Sequence, residues 1–77
     1  MLTSIIKKSG EKIKEFRISS GLTVKKIVDY INNYGNLEGT FSEREWYNLE
    51  KGAFKSIRYD ILPALVDLGA DLDYIFS

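Results

Sequence analysis

Apolar residues recur at intervals of three and four along most of this chain, and that spacing places them on one face of an α-helix. The first helix is predicted within EKIKEFRISS, where Ile13 and Phe16 stand among charged residues, or from an earlier start at Ile5 and Ile6. Gly21 ends it. The second is predicted over VKKIVDYIN, with Thr23 as its cap. Its apolar face consists of Ile27, Val28 and Ile31. No segment reads as a strand, so the pattern predicts an all-α fold.

The third helix has the sharpest boundaries and lies in FSEREWYNLEKG, residues 41–52. Ser42 and Glu45 form the S-x-x-E pattern of a capping box, and Phe41 can pack against Trp46 across the cap. Gly52 closes the helix. Before it, NNYGNLEGT has three asparagines and two glycines in nine residues, which indicates an irregular connection.

Helical spacing returns in DILPALVDLG, where Pro63 is compatible with a helix if it lies near the first turn. A short apolar segment, LDYIF, follows. Asp71 and Asp73 are interpreted as turn and cap residues before a final helix. The 77 residues form one domain, residues 1–77.

Composition narrows the function mainly by exclusion. With 44% hydrophobic and 13% aromatic residues, the chain can form a core and is not intrinsically disordered. It has no cysteine and no histidine, which excludes disulfides, thiolate and imidazole catalysis and the usual zinc ligands. Its apolar runs are too short for a membrane span or a signal peptide, so we expect a cytoplasmic protein. Nothing suggests a cofactor, a metal or a small-molecule ligand.

Four carboxylates are candidate catalytic groups: Glu43, Glu45, Asp71 and Asp73. No nucleophile, base or metal ligand is placed beside them, and the chain has neither a P-loop nor a dinucleotide-binding fingerprint. Caps and solvated surface explain the four carboxylates better, so we do not expect an enzyme.

The net charge of zero conceals an asymmetry. Residues 1–31 contain seven basic and three acidic side chains, whereas residues 32–77 contain four basic and eight acidic ones. A nonspecific nucleic-acid coater would be basic throughout, so this class is excluded.

The third helix raises a question of charge, because it carries three glutamates. At ~100° per residue, Trp46 and Leu49 share its buried face and Glu50 lies at the edge of that face, where it requires a cationic partner. Glu45 belongs to the capping box, and Glu43 lies in the first turn, where the helix dipole favours an anion.

The outward stripe of this helix is formed by Arg44, Tyr47, Asn48 and Lys51. Arginine can bridge the O6 and N7 atoms of guanine, and asparagine the N6 and N7 atoms of adenine. Two interpretations remain open on this helix alone: a DNA-reading face, or an ordinary solvated surface.

Three segments in order, GEKIKEFRISSGLTVKKIVDYI, FSEREWYNLEKG and LVDLGADLDYIF, resemble the lambda-repressor-like helix-turn-helix domains of phage repressors, Cro proteins and xenobiotic-response-element regulators. The resemblance covers residues 10–76. It implies a compact bundle of about five helices that binds double-stranded DNA as a homodimer, with the third helix in the major groove and the second across the backbone.

By position, the resemblance also implies roles for individual residues. Base contacts fall at Glu43, Arg44, Tyr47 and Asn48. Phosphate contacts fall at Lys25, Ser42, Lys51, Lys55 and Arg58. Arg17 and Glu50 match an internal ion pair between the first and third helices, which supplies the cation that Glu50 requires.

The chain departs from the family pattern in two places. NNYGNLEGT enlarges a turn that usually has about four residues, and either the angle between the two helices is loosened or the loop packs and restores it. Val24 stands where the family often has a glutamine that contacts phosphate, and Lys25 is the candidate replacement. The loop is interpreted as a tolerated surface insertion, or as an extra contact through Asn32, Asn33, Tyr34 and Asn36.

Two functions therefore remain. The first is a sequence-specific transcriptional regulator of the repressor type, a homodimer on duplex DNA with a candidate seam at Leu72, Tyr74, Ile75 and Phe76. Core packing explains Leu72 and Ile75 equally well. The second is a protein-interaction or antitoxin-like adaptor on the same fold, which the neutral net charge and the acidic second half favour.

Overall fold

The computed structural model describes residues 2–35, 37–52 and 58–76. Within these ranges the regular structure is helical. The helices are α1 (Leu2–Ser19), α2 (Val24–Tyr34), α3 (Glu43–Lys51), α4 (Leu62–Asp67) and α5 (Leu72–Ile75). A single 3-10 turn, Tyr59–Ile61, leads into α4. These described ranges contain no strand, so the predicted all-α bundle of about five helices is confirmed.

Helix α1 ends and helix α2 begins at the residues that the sequence indicates, but α1 begins at Leu2, before the predicted segment. After α1, Gly21 adopts the left-handed conformation with φ 72°, and its N–H donates to the Ile18 carbonyl at 3.0 Å. At the start of α2, the Thr23 hydroxyl accepts from the Lys26 N–H at 3.2 Å. Helix α2 then continues two residues beyond the predicted segment, to Tyr34.

The boundaries of α3 are also confirmed. The Ser42 hydroxyl accepts from the Glu45 N–H at 3.2 Å, and Gly52 closes the helix with φ 70°. The Phe41 and Trp46 rings meet edge to face, with centroids 6.4 Å apart, as a hydrophobic staple does. The capping box differs in one respect, because the Glu45 carboxylate bonds the Ser42 hydroxyl rather than closing back onto the backbone.

The short helices at the C-terminal side follow local signals as well. Pro63 lies in the first turn of α4, where its missing N–H leaves no intrahelical partner unsatisfied. The Asp71 carboxylate caps α5 by accepting from the N–H groups of Asp73 and Tyr74, at 3.1 and 3.3 Å. The predicted cap role of Asp71 is thus confirmed.

The core lies where α1, α2, α3 and α4 meet, and its most deeply buried large side chains are Trp46, Phe41, Ile13, Ile27, Ile31, Ile61 and Leu65. Helix α1 approaches the end of α3 so closely at Gly10 that a Cβ there would lie 2.6 Å from the Leu49 carbonyl oxygen and 2.7 Å from the Gly52 nitrogen. None of the described helices has the length and apolar character to cross a membrane.

Candidate nucleic-acid interface

One face of α3 is exposed along its whole length. Glu43, Arg44, Tyr47 and Lys51 are exposed, and Asn48 is half-buried between them. The opposite face of the helix, Trp46 and Leu49, is buried in the core. The structure therefore places the four predicted base-contacting residues on one outward surface, together with Lys51.

The exposed face of α3 has two rows of side chains. Residues four apart on a helix are neighbours, so Arg44 precedes Asn48 in one row, and Glu43, Tyr47 and Lys51 form the other. The rise of ~1.5 Å per residue separates such neighbours by about 6 Å along the axis, a distance from which both side chains of a row can reach adjacent base pairs.

The three glutamates of α3 have separate environments. The carboxylate of Glu45 bonds the Ser42 hydroxyl and lies 3.1 Å from Arg58 Nη1. Glu50 has a side chain that is only 6% exposed. Glu43 alone stands on the exposed stripe, in the first turn.

The Glu50 carboxylate is the acceptor in a hydrogen-bond network that joins α1, α3 and the connection between α1 and α2. Arg17 Nε lies 2.6 Å from Glu50 Oε2, so the predicted ion pair between α1 and α3 is present. Trp46 Nε1 donates to the same oxygen at 2.5 Å, and Arg17 Nη1 donates to the Leu22 carbonyl at 3.0 Å. A buried carboxylate is stabilised when it is both paired and hydrogen-bonded, as it is here.

The predicted phosphate contacts fall into three groups. Lys25, in the first turn of α2, is exposed, as are Ser42 and Lys51 at the two ends of α3. Lys55 lies outside the described residues, and so does Asn36 of the enlarged turn. Arg58 has a different environment from the rest.

All five N–H donors of the Arg58 guanidinium are directed at acceptors of the protein itself. Nε and Nη2 bond the two oxygens of Asp60 at 3.1 and 2.6 Å. Nη1 also lies 3.5 Å from the Thr40 carbonyl, and Nη2 bonds the Gly39 carbonyl at 3.0 Å. The remaining bond is the one from Nη1 to Glu45. A phosphate contact by Arg58 would have to compete with these bonds, and that role stays a prediction from the resemblance.

In the connection between α2 and α3, residues 38–41 are hydrogen-bonded to side chains elsewhere in the fold. The side-chain amide of Asn32 donates to the Phe41 carbonyl and accepts from the Phe41 N–H, both at 2.8 Å. The Glu38 N–H donates to Asp60 Oδ2 at 3.2 Å, and Leu37 packs against the core. We call Asn32, Arg58 and Asp60 the loop clamp; with it, the enlarged turn is a packed part of the fold rather than a loose insertion.

Among the described residues, three groups outside α3 have perturbed acidities. The Arg58 guanidinium lowers the pKa of the Asp60 carboxyl below its usual value. Asp60 and Glu45 together raise the pKa of Arg58. The Tyr30 hydroxyl donates to Asp67 and thereby links α2 to α4, and that carboxylate raises the pKa of Tyr30.

The candidate dimer seam is only partly accessible. Ile75 is buried in the core, while Leu72 and Phe76 are half-buried against it. Tyr74 is 51% exposed, and its carbonyl accepts a hydrogen bond from Lys12 Nζ at 2.8 Å. Core packing therefore explains Ile75, which leaves Tyr74 and the partly exposed edges of Leu72 and Phe76 as surface.

An apolar groove beside α4 was not foreseen from the sequence. We call it the α4 groove; it is lined by Tyr34, Tyr59, Leu62, Pro63, Val66, Asp67 and Leu72. Tyr59 is 75% exposed and Val66 is 52% exposed. No residue of α3 lines it, so it is distinct from the stripe on that helix.

Comparisons with protein-family models, with curated proteins and with solved structures give no match to this chain. Among the described residues, no group of three or more acidic side chains is arranged to bind a metal ion.

Proposed function

We propose that this chain is a sequence-specific DNA-binding regulator of the repressor type, acting in the cytoplasm, that reads the major groove with α3. The observation that supports it is the exposed stripe of Arg44, Tyr47, Asn48 and Lys51 on a helix whose opposite face is core. Arginine and asparagine are the side chains that bond guanine and adenine edges bidentately. Such a face fits the groove, which admits one α-helix.

The electrostatics of α3 support this proposal despite the three glutamates. Glu45 and Glu50 are paired with Arg58 and Arg17, so their charges are compensated within the protein. Phosphate contacts are assigned to Lys25, Ser42 and Lys51, whose side chains are exposed. Lys55 remains a prediction from the resemblance.

A homodimer is part of the proposal, because one helix reads too few bases for specificity and helix-turn-helix dimers bind two half-sites about one helical turn apart. The candidate seam is the surface of Leu72, Tyr74 and Phe76 together with the neighbouring α4 groove. Nothing in the site calls for a cofactor, and we do not propose an enzyme.

The adaptor function is the second candidate, and the α4 groove favours it. Exposed apolar side chains that share one groove are typical of protein-binding surfaces. Residues 59–77 contain four aspartates and no lysine or arginine, so this side of the chain repels DNA. On this alternative, α3 is an ordinary solvated helix.

The deciding experiment selects bound fragments from a random duplex pool. The selected duplex and a scrambled duplex of equal length are then titrated at low and moderate salt. For a regulator we expect an enriched sequence, and affinity that falls steeply with salt because cations bound to phosphate are released. Absence of enrichment, with no salt-dependent binding to either duplex, would favour the adaptor.

A further inference from the structure

The loop clamp links the enlarged turn to the first turn of α3. A helix-turn-helix usually sets the angle between its two helices with a turn of about four residues, whereas here α2 ends at Tyr34 and α3 begins at Glu43. A longer connection fixes an angle only if its own conformation is fixed. Side chains provide that fixation here, since Asn32 of α2 bonds Phe41 while Arg58 and Asp60 bond residues 38–40.

Arg58 is the part of the clamp that contacts α3 directly. Its guanidinium bonds Glu45 in the first turn of α3 and lies over the Phe41 ring, 5.6 Å from the centroid. Phe41 in turn packs edge to face on Trp46. Arg58 therefore touches the enlarged turn, the cap region and the first turn of α3 through one rigid, planar group.

We propose that Arg58 and Asp60 are positioning residues that orient α3 for reading DNA, and that neither touches DNA. Asp60 orients the guanidinium through two hydrogen bonds, and the guanidinium fixes the turn and the helix. The inference rests on the proposed function, since the orientation of α3 affects DNA recognition only if this helix contacts bases. It replaces the phosphate contact that the resemblance assigns to Arg58.

The Asp60→Asn variant distinguishes a positioning role of Arg58 from a phosphate-binding role, because the two roles predict different changes in DNA affinity. If Arg58 positions α3, loss of the Asp60 charge loosens the turn, and the ratio of specific to nonspecific affinity falls about tenfold, the size of one lost bidentate base contact. If Arg58 instead binds phosphate, weakening its partner releases it, and binding to every duplex tightens. Asp73→Asn is the matched control, because it removes the same charge from an exposed position on α5.

Arg58→Lys tests the same point through salt. Lysine keeps the charge but cannot reproduce the five-donor fork. We expect a lower specificity ratio with an unchanged slope of affinity against salt. An unchanged ratio in both variants, or tighter binding to all duplexes in Asp60→Asn, would overturn the proposal.

Hydrogen exchange tests the clamp without DNA. In Arg58→Lys the Glu38 and Phe41 amides should exchange faster, whereas amides in the middle of α1 should not change. Unchanged exchange at Glu38 and Phe41 would refute the clamp whatever the DNA result. Faster exchange in a chain that never binds duplex would instead refute the proposed function. If both variants lose their helical circular dichroism, the two residues support the whole fold rather than the pose of α3, and the proposal fails.

Discussion

Glu50 shows that an acidic residue of α3 can point towards the fold rather than towards the exposed face of the helix. Its carboxylate accepts from Arg17 and from the Trp46 indole, and only 6% of the side chain is exposed. The position at the edge of the buried face follows from helical phase, and the partner on α1 follows from the fold. The charge is therefore used to join helices rather than to meet a ligand.

Removing Glu50 should be costly. Glu50→Ala leaves Arg17 and the Trp46 indole without their acceptor, and breaking one side of a buried pair costs ~3–5 kcal/mol. We expect urea unfolding to show a loss of this size, whereas Glu43→Ala, on the exposed stripe, should show a small change. Equal unfolding midpoints for the parent and Glu50→Ala would contradict the pairing.

Under the proposed function, Arg44 and Asn48 contact bases and Lys51 contacts phosphate. Arg44→Ala and Asn48→Ala should each weaken the preferred site by ~1–3 kcal/mol and relax specificity locally. Lys51→Ala should weaken all duplexes alike and reduce the salt slope by about one. Affinity titrations against single-base variants of the selected site measure both effects, and Lys14→Ala, exposed on α1, is the control for the loss of a charge.

The contrary result is equally clear for this helix. If Arg44→Ala and Asn48→Ala both leave specific binding intact, α3 does not enter the groove. The position of Glu43 is then explained by its favourable interaction with the helix dipole alone.

At the scale of elements, the crossing of α1 and α3 depends on the absence of a side chain. A Cβ at Gly10 would meet three backbone atoms of α3, at 2.6 to 2.8 Å, and backbone cannot move aside as a flexible side chain can. The ion pair of Arg17 with Glu50 lies along the same interface. The two helices are thus fixed by close contact at one point and by charge at another.

Gly10→Ala should therefore destabilise the fold by roughly 1–3 kcal/mol or more, the cost of overpacking. Alanine is the better helix former, so propensity alone predicts the opposite sign. Gly39→Ala is the matched control, because nothing lies within 4 Å of a Cβ there. Thermal unfolding that leaves Gly10→Ala as stable as Gly39→Ala would show that α1 can shift without cost.

Acid should weaken the loop clamp. Because Arg58 lowers the pKa of Asp60, that carboxylate contributes stability above the ordinary pKa of an aspartate and loses it as the pH falls through the lowered value. Asp60→Asn removes this contribution at all pH values. Its stability should thus fall less steeply than the parent's on acidification, as measured by urea unfolding at a series of pH values, with Asp73→Asn as the control for net charge. Parallel curves would contradict the assignment.

The elements were predictable because their signals are local. Thr23, Ser42, Gly52 and Asp71 each act within a few residues of themselves, so the sequence alone identifies them as caps. The buried face of α3 followed from its helical phase. The missing N–H of Pro63 likewise makes this residue compatible with a helix only near its first turn.

The loop clamp was not predictable, because its bonds join distant positions. Arg58 bonds carbonyls 18 and 19 residues earlier, and nothing in the periodicity of either segment indicates this. Asn32 is predicted at the end of α2, but nothing in the sequence indicates that its side chain bonds Phe41, nine residues later. The close approach of α1 to α3 at Gly10 was likewise not predictable, because a glycine within a helical pattern does not indicate which element packs against it.

At the scale of the whole molecule, a formal net charge of zero is the sum of two unlike halves. Residues 1–31 carry an excess of four positive charges and residues 32–77 an excess of four negative ones, from seven basic against three acidic and four against eight. In the negative half, Glu45, Glu50 and Asp60 are paired with arginines. This asymmetry favours one orientation of approach to a polyanion.

The protein should be a weak homodimer that strengthens on DNA. The candidate contact surface consists of Tyr74 and the partly exposed edges of Leu72 and Phe76, because Ile75 is buried. Sedimentation of the free chain and of its complex with the selected duplex measures this, with Val66→Asp in the α4 groove as the variant that should weaken association. A monomer at every concentration, free and on DNA, would refute the dimer.

The Arg58 guanidinium also has a spectroscopic consequence. Its two terminal NH₂ groups exchange places only by rotation about the partial double bond to Nε, and here that rotation must break the four bonds from Nη1 and Nη2. We expect separate, slowly exchanging proton resonances for Arg58, where an exposed side chain such as Arg44 gives an averaged signal. Arg58 thus serves as a built-in nuclear magnetic resonance reporter of whether the turn ahead of α3 is ordered.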